Sequence, residues 1–385
     1  MRIAYVINSL EGGGAAAPVP AIAQVLRDAG AEVRVFALTR RDGRAESAIS
    51  AAGLGPLVRD GGEHDHLAAL RWLDRETASW GATHLWTSLT RATLLGLWLG
   101  PRRGLPVAAW QHNSFLKPAN LCLLRAMQRR AALWVADSSH VAGLTKTRLG
   151  VEDQRLITWP IFAADPQAPR PRAWQLGETL RIGSLGRLHH AKGYDILIEA
   201  LALLHTGGFT APVPYEITIA GEGAQRKPLE AAAKRAGVAI TFPGFTADPA
   251  QFLAAQHLYL QPSRREGFCI GAHEAMAAGL PIIASATGEL ALTVTPDIGQ
   301  LVRPGEAESL AKALAAMLAH PELLRAMGDR ARARVETRYS QGSFAQAGRA
   351  ALENLNGPRR FANFQTAPSD TVDQPVSEDK KDSVR

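Results

Sequence analysis

Short apolar runs alternate with longer amphipathic stretches through the first 160 residues of the chain. The runs are rich in β-branched or aromatic residues and end at glycines or polar turns, so they predict buried strands. These predicted strands cover residues 3–7, 33–38, 84–87, 107–111, 133–136 and 156–159. Helical spacing of apolar positions predicts helices between them, including 18–29 and 121–132. Alternation of this kind predicts a parallel sheet covered by helices on both faces.

The alternation stops at a proline-rich block and then starts again. Residues 166–179 hold Pro166, Pro169 and Pro171 and predict a linker. Beyond it, strands are predicted at 180–184, 215–220, 239–242, 258–260, 281–284 and 301–302. The fold class is therefore predicted to be α/β, with two doubly wound domains facing each other across a cleft, at residues 1–165 and 180–339. We expect a last helix at 340–356 to pack back on the first domain and the polar tail at 357–385 to be disordered.

Two glutamates mark the most informative stretch of the second half. Glu266 follows the predicted strand at 258–260, and Glu274 lies eight positions later, about two turns into a predicted helix. No Ser, Thr, Asp or Asn at 267–270 caps that helix, so its first N–H groups need another partner. A ligand anion suits such a helix end. Two carboxylates beside an anion site fit a sugar nucleotide, with one for sugar hydroxyls and one for the ribose.

Composition narrows the classes of protein. The 385 residues are 46% hydrophobic and 21% charged, which is typical of globular domains. A net charge of +7 suits an anionic ligand or membrane surface, but the basic residues are scattered, so we expect no nucleic-acid partner. Two distant cysteines predict neither a disulfide framework nor a cysteine metal site and fit a reducing cytoplasm. No apolar run reaches the ~18 residues of a membrane span.

Two local patterns suggest other sites. Residues 12–17 fit the G-x-G-x-x-A pattern of dinucleotide-binding proteins, but the second predicted strand ends in two arginines where an acidic residue would hold the ribose. The His-Asp-His sequence at 64–66 is a candidate metal cluster, although no complementary ligands are spaced to complete it. We therefore expect neither a dehydrogenase nor a metal site.

Several short motifs occur in an order that is typical of one enzyme family. Besides the two glutamates they are Gly13-Gly14-Ala15, Gln111-His112-Asn113, Gly186-Arg187-Leu188, Lys192-Gly193, Ala220-Gly221-Glu222-Gly223, Pro243-Gly244-Phe245 and Leu301-Val302-Arg303-Pro304-Gly305. The ordered set resembles the large family 4 of retaining glycosyltransferases, whose GT-B architecture consists of two Rossmann-like domains. The resemblance covers almost all of the chain before the predicted tail.

The resemblance implies roles for residues of the second domain. Arg187 and Lys192 would hold the donor diphosphate, and Glu274 would take the ribose hydroxyls. Glu266 would contact the donor sugar, either as a nucleophile or, as we prefer, as a group that orients the sugar and stabilises charge. The amides that would lie nearby belong to Phe268, Cys269 and Ile270. The plainer alternatives are solvated basic residues at a helix start, a surface glutamate paired with a neighbouring arginine, and an exposed helix residue.

The resemblance also implies roles in the first domain. His112 would face the sugar, although a single histidine after a strand is more often structural, and Gly13 and Gly14 would let the first loop approach the donor closely. Two departures are visible: Ala16 takes the place of an acidic residue that is frequent in the family, and the loop that begins at Glu289 lacks the usual Pro-Glu pair. Contacts between that loop and the donor are therefore open.

Taken together, these features predict a retaining glycosyltransferase that uses a nucleotide-diphosphate sugar and needs no cofactor or metal. The expected acceptor is a glycan or lipid-linked saccharide in surface polysaccharide or lipopolysaccharide synthesis. We expect a cytoplasmic location, and the basic balance is compatible with peripheral contact at the anionic inner face of the membrane. Alternatives on the same fold are a non-catalytic sugar-nucleotide-binding subunit and a sugar-nucleotide epimerase or hydrolase.

Overall fold

The computed structural model describes residues 1–112 and 115–356, which contain two parallel β-sheets. The first has the strand order β3-β2-β1-β4-β5-β6-β7. Its strands are β1 Arg2–Ile7, β2 Glu32–Ala37, β3 Leu57–Val58, β4 His84–Ser88, β5 Val107–Gln111, β6 Leu133–Ala136 and β7 Leu156–Thr158. Strands β5 and β6 are buried along their whole length because helices cover both faces, which explains their continuous apolar sequences.

The second sheet has the order β10-β9-β8-β11-β12-β13. Its strands are β8 Leu180–Leu185, β9 Tyr215–Ala220, β10 Thr241–Gly244, β11 Leu258–Gln261, β12 Ile282–Ser285 and β13 Gly299–Val302. Every pair of neighbouring strands in the two sheets is parallel. The two doubly wound sheets confirm the predicted fold class. The predicted tail at 357–385 lies outside the described residues.

Helices fill both faces of each sheet. Those of the first half are α1 Val19–Asp28, α2 Glu46–Ala51, α3 His66–Trp80, α4 Thr90–Arg103, α5 Pro118–Met127 and α6 Ser139–Leu144. Those of the second half are α7 Tyr194–Thr206, α8 Arg226–Ala236, α9 Pro249–Ala254, α10 Ile270–Ala278, α11 Leu290–Thr293, α12 Ala307–Ala319, α13 Leu324–Arg338 and α14 Gln341–Asn356. Within the described ranges, none is long and apolar enough to span a membrane.

Local chemistry explains where the element bounds differ from the predicted ones. Helix α5 begins at Pro118, three residues before the predicted start, because proline fits the first turn of a helix, where its missing N–H costs nothing. It ends at Met127, since residues 128–130 tighten into a 3-10 turn. Strand β3 escaped prediction because Leu57–Val58 is too short to show a period.

The order of strands places a cleft between the two domains. It reverses beside β1 in the first sheet and beside β8 in the second, and the carboxyl ends of strands at such a point are where these folds bind ligands. The two strand edges meet across the cleft. Arg44 Nη2 donates to Glu222 Oε2 at 2.7 Å, and a Cβ on Gly267 would collide with the carbonyl oxygen of His112.

The chain crosses between the domains at two places that touch each other. The amide of Ala164, just before the predicted linker, donates to the carbonyl of Tyr339 at 2.7 Å. Helix α14 then lies against α1, β6 and β7 of the first domain. The ring of Phe344 packs on Trp159 with 5.4 Å between centroids. A Cβ on Gly348 would collide with Val25, so glycine allows this close packing.

Candidate functional site

Glu266 lies in the loop after β11, and three polar side chains hold its carboxylate. Lys192 Nζ donates to Oε1 at 2.7 Å, Ser263 Oγ at 2.6 Å and Gln261 Nε2 at 3.3 Å. The Glu266 side chain is 10% exposed. The glutamate is therefore oriented before any ligand binds.

Lys192 reaches Glu266 because a glycine lets two loops touch. Lys192 ends a 3-10 turn, and Gly193 then takes the left-handed conformation, with φ 68°, before α7 begins. A Cβ on Gly193 would collide with the carbonyl of Pro262, in the loop that carries Glu266. Burial by itself lowers the pKa of Lys192, but the adjacent Glu266 carboxylate outweighs burial and the net pKa is raised. The site thus contains a fixed cation at working pH.

Arg187 follows β8 and faces the first domain across the cleft. Its Nη2 lies 3.1 Å from Glu11 Oε1, and its side chain is 52% exposed. Glu11 also pairs with Arg41. A Cβ on Gly13, whose φ is 152°, would lie 3.6 Å from the same Nη2, so the glycine-rich loop runs directly against the guanidinium. The carboxylate of Glu11 therefore pairs with the end of the guanidinium that faces the first domain.

The N-terminus of α10 opens toward the same place. Cys269 precedes the helix with φ 68°, and no side chain caps it. Among the described residues, none accepts a hydrogen bond from the amides of Ile270 or Gly271. Ile270 Cδ1 lies 3.6 Å from where a Cβ on Gly14 would be. Free amides at a helix start, close to a glycine-rich loop, form a surface for an anion.

Phe268 and Cys269 are buried under this helix start. Phe268 is 2% exposed and stacks on His273 with 4.0 Å between centroids. Cys269 is 8% exposed, and burial raises the pKa of its thiol, which therefore stays protonated and unreactive. The Phe268 side chain thus belongs to the packing beneath the site, whereas the Cys269 thiol also lies close enough to Glu266 and Lys192 to interact with them.

Glu274 is the carboxylate without a partner. It is the fifth residue of α10, which begins at Ile270, so it lies just over one turn into the helix rather than two as predicted. Within residues 1–112 and 115–356 no group donates a hydrogen bond to its carboxylate. Burial raises its pKa. A half-buried, unpartnered carboxylate is a group that a ligand hydroxyl would satisfy.

His112 directly follows β5, and its ring turns into the first domain. Its Nε2 lies 2.7 Å from Ser88 Oγ, its Nδ1 lies 3.6 Å from Asp137 Oδ2, and its side chain is 8% exposed. Burial raises the pKa of Asp137 to about 6, an effect that His112 partly opposes. It is the backbone of His112 that borders the cleft, where its carbonyl oxygen lies against Gly267.

The structure thus brings most of the predicted site residues together at the second sheet, whereas the ring of His112 lies apart from them. Arg187, Lys192, Glu266, Glu274 and the start of α10 surround the carboxyl edge of the second sheet, and the first loop with Gly13 and Gly14 closes on it. The ring of His112 is engaged within the first domain.

Sequence reasoning missed several partners of these residues. They are Glu11 beside Arg187, Gln261 and Ser263 beside Glu266, and Ser88 and Asp137 beside His112. Only Gln261 and Ser263 carry a readable signal, because two polar residues with strand spacing end an otherwise apolar run. The other partners come from distant parts of the chain.

Comparison with known proteins relates the second domain to a protein family. Residues 171–334 match the family model described as "Glycosyl transferases group 1". The chain carries a group 1 glycosyltransferase domain. The matched residues contain Arg187, Lys192, Glu266 and Glu274, the groups that the cleft brings together. The predicted family is confirmed at this level.

Relatives and solved structures extend this picture. The chain is 34% identical to the lipopolysaccharide core biosynthesis mannosyltransferase LpcC of Rhizobium leguminosarum bv. viciae, over 46% of this chain and 52% of the relative. It is 34% identical to a GDP-mannose-dependent alpha-(1-6)-phosphatidylinositol dimannoside mannosyltransferase of Mycobacterium tuberculosis, over 43% of this chain and 42% of the relative. The match thus spans about half the length of these curated relatives.

A solved structure has the same two-domain architecture. The crystal structure of Anabaena HepE in complex with UDP-glucose superposes with a TM-score of 0.78 and 22% identity, over 92% of this chain and 99% of that chain. The fold is therefore GT-B, with both Rossmann-like domains present.

Proposed function

We propose that the protein is a retaining glycosyltransferase that takes its sugar from a nucleoside-diphosphate donor. The observation that carries this proposal is the set of exposed or unpartnered groups around the second sheet. The guanidinium of Arg187, the free amides at the start of α10 and the unpartnered carboxylate of Glu274 complement a diphosphate and the hydroxyls of a ribose.

In this proposal the positive charge that the leaving group needs comes from side chains. Arg187 supplies a fork and Lys192 a point charge, and both come directly after β8 at a helix start. Charge that develops on the departing diphosphate meets donors that are already in place. Losing one such donor costs about 3 kcal/mol of activation free energy in comparable sites. No metal or cofactor is assigned a role.

Glu266 acts on the sugar through orientation and charge. Its Oε1 accepts hydrogen bonds from Lys192, Ser263 and Gln261, which stabilise the anion and so weaken it as a nucleophile. We therefore favour attack by the acceptor from the side of the leaving group, with Glu266 stabilising positive charge on the sugar. His112 would approach the sugar from the first domain after its ring leaves Ser88.

The acceptor that we propose is a glycan or lipid-linked saccharide of surface polysaccharide or lipopolysaccharide synthesis. The support is the name of the LpcC relative and that of the phosphatidylinositol mannoside relative. A cytoplasmic enzyme that touches the inner face of the membrane fits the net charge of +7. UDP-sugars and GDP-mannose are both reasonable donors, because a structural neighbour binds UDP-glucose and a relative is named for GDP-mannose.

A product assay tests the proposal. Purified protein is incubated with UDP-, GDP-, ADP- and dTDP-sugars, with and without a cell-envelope glycolipid extract, and the products are separated and read by NMR. We expect an acceptor-dependent product in which the anomeric configuration of the donor is kept. Free sugar in the absence of acceptor, formed as fast as any product, would instead indicate a hydrolase, and inversion would refute the retaining mechanism.

A further inference from the structure

A buried set of polar side chains in contact with one another lies between Cys269, at the start of α10, and Tyr339, where the polypeptide returns to the first domain. Its four side chains are each 3% exposed or less, and none of them was assigned a role in donor binding or catalysis above. Its members are His273, Thr293, Tyr339 and Glu289. Such an arrangement within a glycosyltransferase domain needs a reason, because buried polar groups are costly unless every one is satisfied.

His273 pins the strained residue that precedes α10. Its Nδ1 lies 2.9 Å from the carbonyl oxygen of Cys269, which also accepts from the backbone amide of His273 at 3.3 Å. A carbonyl oxygen only accepts, so Nδ1 carries the proton. Burial lowers the pKa of His273 to about 3, which keeps the ring neutral and leaves Nε2 as an acceptor.

Thr293 satisfies the other ring nitrogen of His273. Its Oγ1 lies 3.2 Å from Nε2 of His273 and donates to it, since that nitrogen has no proton. The same Oγ1 lies 3.1 Å from the hydroxyl of Tyr339. Each hydroxyl has one proton, and that of Tyr339 goes to Glu289, so Thr293 and Tyr339 touch without a proton between them. Tyr339 therefore acts on Thr293 through Glu289, because Glu289 directly precedes the short helix α11 that ends at Thr293.

Glu289 is the member of this set that lies at the domain boundary. Its Oε1 accepts from the Tyr339 hydroxyl at 3.0 Å and from Arg338 at 2.7 Å. Its Oε2 accepts from the amide of His140 in the first domain at 3.4 Å. Its own amide donates to the carbonyl of Gly267 at 2.9 Å, in the loop that carries Glu266.

We infer that His273, Thr293, Tyr339 and Glu289 are positioning residues that hold the N-terminus of α10 open for the donor and tie it to the interdomain crossing at Tyr339. The inference rests on the proposed function. Cys269, at φ 68°, is in a conformation that costs a non-glycine residue about 1–3 kcal/mol and persists only if its surroundings enforce it. Here the enforcing contact is the hydrogen bond from His273 to the Cys269 carbonyl.

Thr293→Val tests the inference, because it keeps the shape of the side chain and removes the hydroxyl that donates to Nε2. Calorimetry measures the affinity for the nucleoside diphosphate that wild type binds tightest among UDP, GDP, ADP and dTDP. We expect the dissociation constant to rise about tenfold, as the loss of one buried hydrogen bond implies. Thr293→Ser restores the hydroxyl and is expected to bind within about twofold of wild type.

Thr77→Val is the matched control. Thr77 is 2% exposed and donates to Leu73 of its own helix, α3, so the same substitution is made outside this set of side chains. Nitrogen-15 NMR of His273 supplies a readout that packing alone would not move. Wild type and Thr293→Ser are expected to show an Nε2 shift typical of a nitrogen that accepts a hydrogen bond, and Thr293→Val the shift of one that does not, with Nδ1 protonated in all three. Tyr339→Phe, which keeps the ring, carries the test if Thr293→Val does not fold.

The outcomes separate the inference from the proposed function. If wild type binds no nucleotide, the proposed function fails and the inference falls with it. If wild type binds and Thr293→Val or Tyr339→Phe binds equally well, the inference alone is wrong. Weakened binding that Thr293→Ser does not restore, or that Thr77→Val reproduces, would likewise overturn it.

Discussion

The two faces of the cleft differ in what they leave unsatisfied. On the second domain, Glu274 has no partner among the described residues, and the first amides of α10 have no acceptor there. On the first domain, the ring of His112 is held by Ser88 and lies beside the buried Asp137. One face therefore presents open groups to a ligand. On the other face the ring of His112 is held through Nε2 by Ser88, while its Nδ1 and the Oδ1 of Asp137 are buried without a hydrogen-bond partner among the described residues.

This difference indicates a division of labour. Groups without partners bear a desolvation cost that a ligand can relieve, so we expect the donor to gain its affinity on the second domain. Groups that are already engaged contribute only after they rearrange, as happens when domains close. The family match to residues 171–334 covers the second domain, which carries these open groups. Each experiment below breaks or sharpens this contrast.

The largest effect is expected from Lys192→Ala. The change removes a cation from the proposed leaving-group site and leaves Glu266 without its charged partner, so kcat should fall by about 10²–10³-fold. Steady-state transfer rates measure it. The control is Lys227→Ala, an exposed lysine of α8. A loss no greater than that of the control would show that the second domain does not stabilise the leaving group.

Glu274→Gln should weaken binding of the nucleotide next most strongly. A carboxylate accepts two ribose hydroxyls, and each hydrogen bond to a charged group contributes about 1.5–3 kcal/mol, so the dissociation constant should rise about tenfold or more. Calorimetry with the preferred nucleotide measures the change. Unaltered affinity would mean that Glu274 is an ordinary helix residue.

The same variant should be more stable than wild type when no ligand is present. Burial raises the pKa of Glu274, so protonation stabilises the fold at low pH and this stability is lost as the pH rises through the raised value. Glutamine stays neutral throughout. Thermal unfolding should therefore show a higher midpoint for Glu274→Gln at pH 7 and a smaller difference at pH 4. An equal difference at both pH values would contradict the assignment of a buried, unpaired charge.

His112→Asn probes the face of the cleft that belongs to the first domain. We expect kcat to fall about tenfold, because a misplaced sugar slows transfer, while the affinity for nucleotide stays within about twofold of wild type. Parallel rate and calorimetric measurements separate the two effects. If this variant loses nucleotide affinity as strongly as Glu274→Gln, both domains grip the donor and the division of labour is wrong.

The smallest effect is expected from Glu11→Gln, and its sign is the informative part. Glu11 lies 3.1 Å from Arg187 and competes with a diphosphate for it. An exposed ion pair contributes about 0.2–1 kcal/mol, so nucleotide should bind roughly two- to fivefold more tightly. The control is Glu63→Gln, because Glu63 also forms an ion pair with Arg41 but, among the described residues, none with Arg187. Weaker binding by Glu11→Gln would show that Glu11 positions Arg187 instead of competing with the ligand.

The sequence predicted what depends on neighbours along the chain. Strands β5 and β6 match their predicted bounds because buried strands have continuous apolar sequences. The uncapped start of α10 was visible in the absence of a capping residue at 267–270. Glu266 and Glu274 were identified for the same local reason.

The rest could not be predicted because it depends on how the domains meet. Nothing near Arg187 in the sequence identifies Glu11 as its partner, and nothing near His112 shows that its ring turns toward Ser88. Glu289 was noted only as a departure from the family loop, yet its carboxylate joins both domains through Tyr339 and the amide of His140. Such contacts are set by docking and have no periodic signature.

Calorimetric binding of UDP, GDP, ADP and dTDP tests the central claim most directly, with wild type, Arg187→Ala, Glu274→Ala and the surface control Arg235→Ala. The account predicts that wild type selects one nucleotide, that both site variants bind it more weakly, and that the control binds like wild type. Absence of binding to wild type, or equal binding by all four proteins, would contradict a donor site on the second domain and leave only the fold.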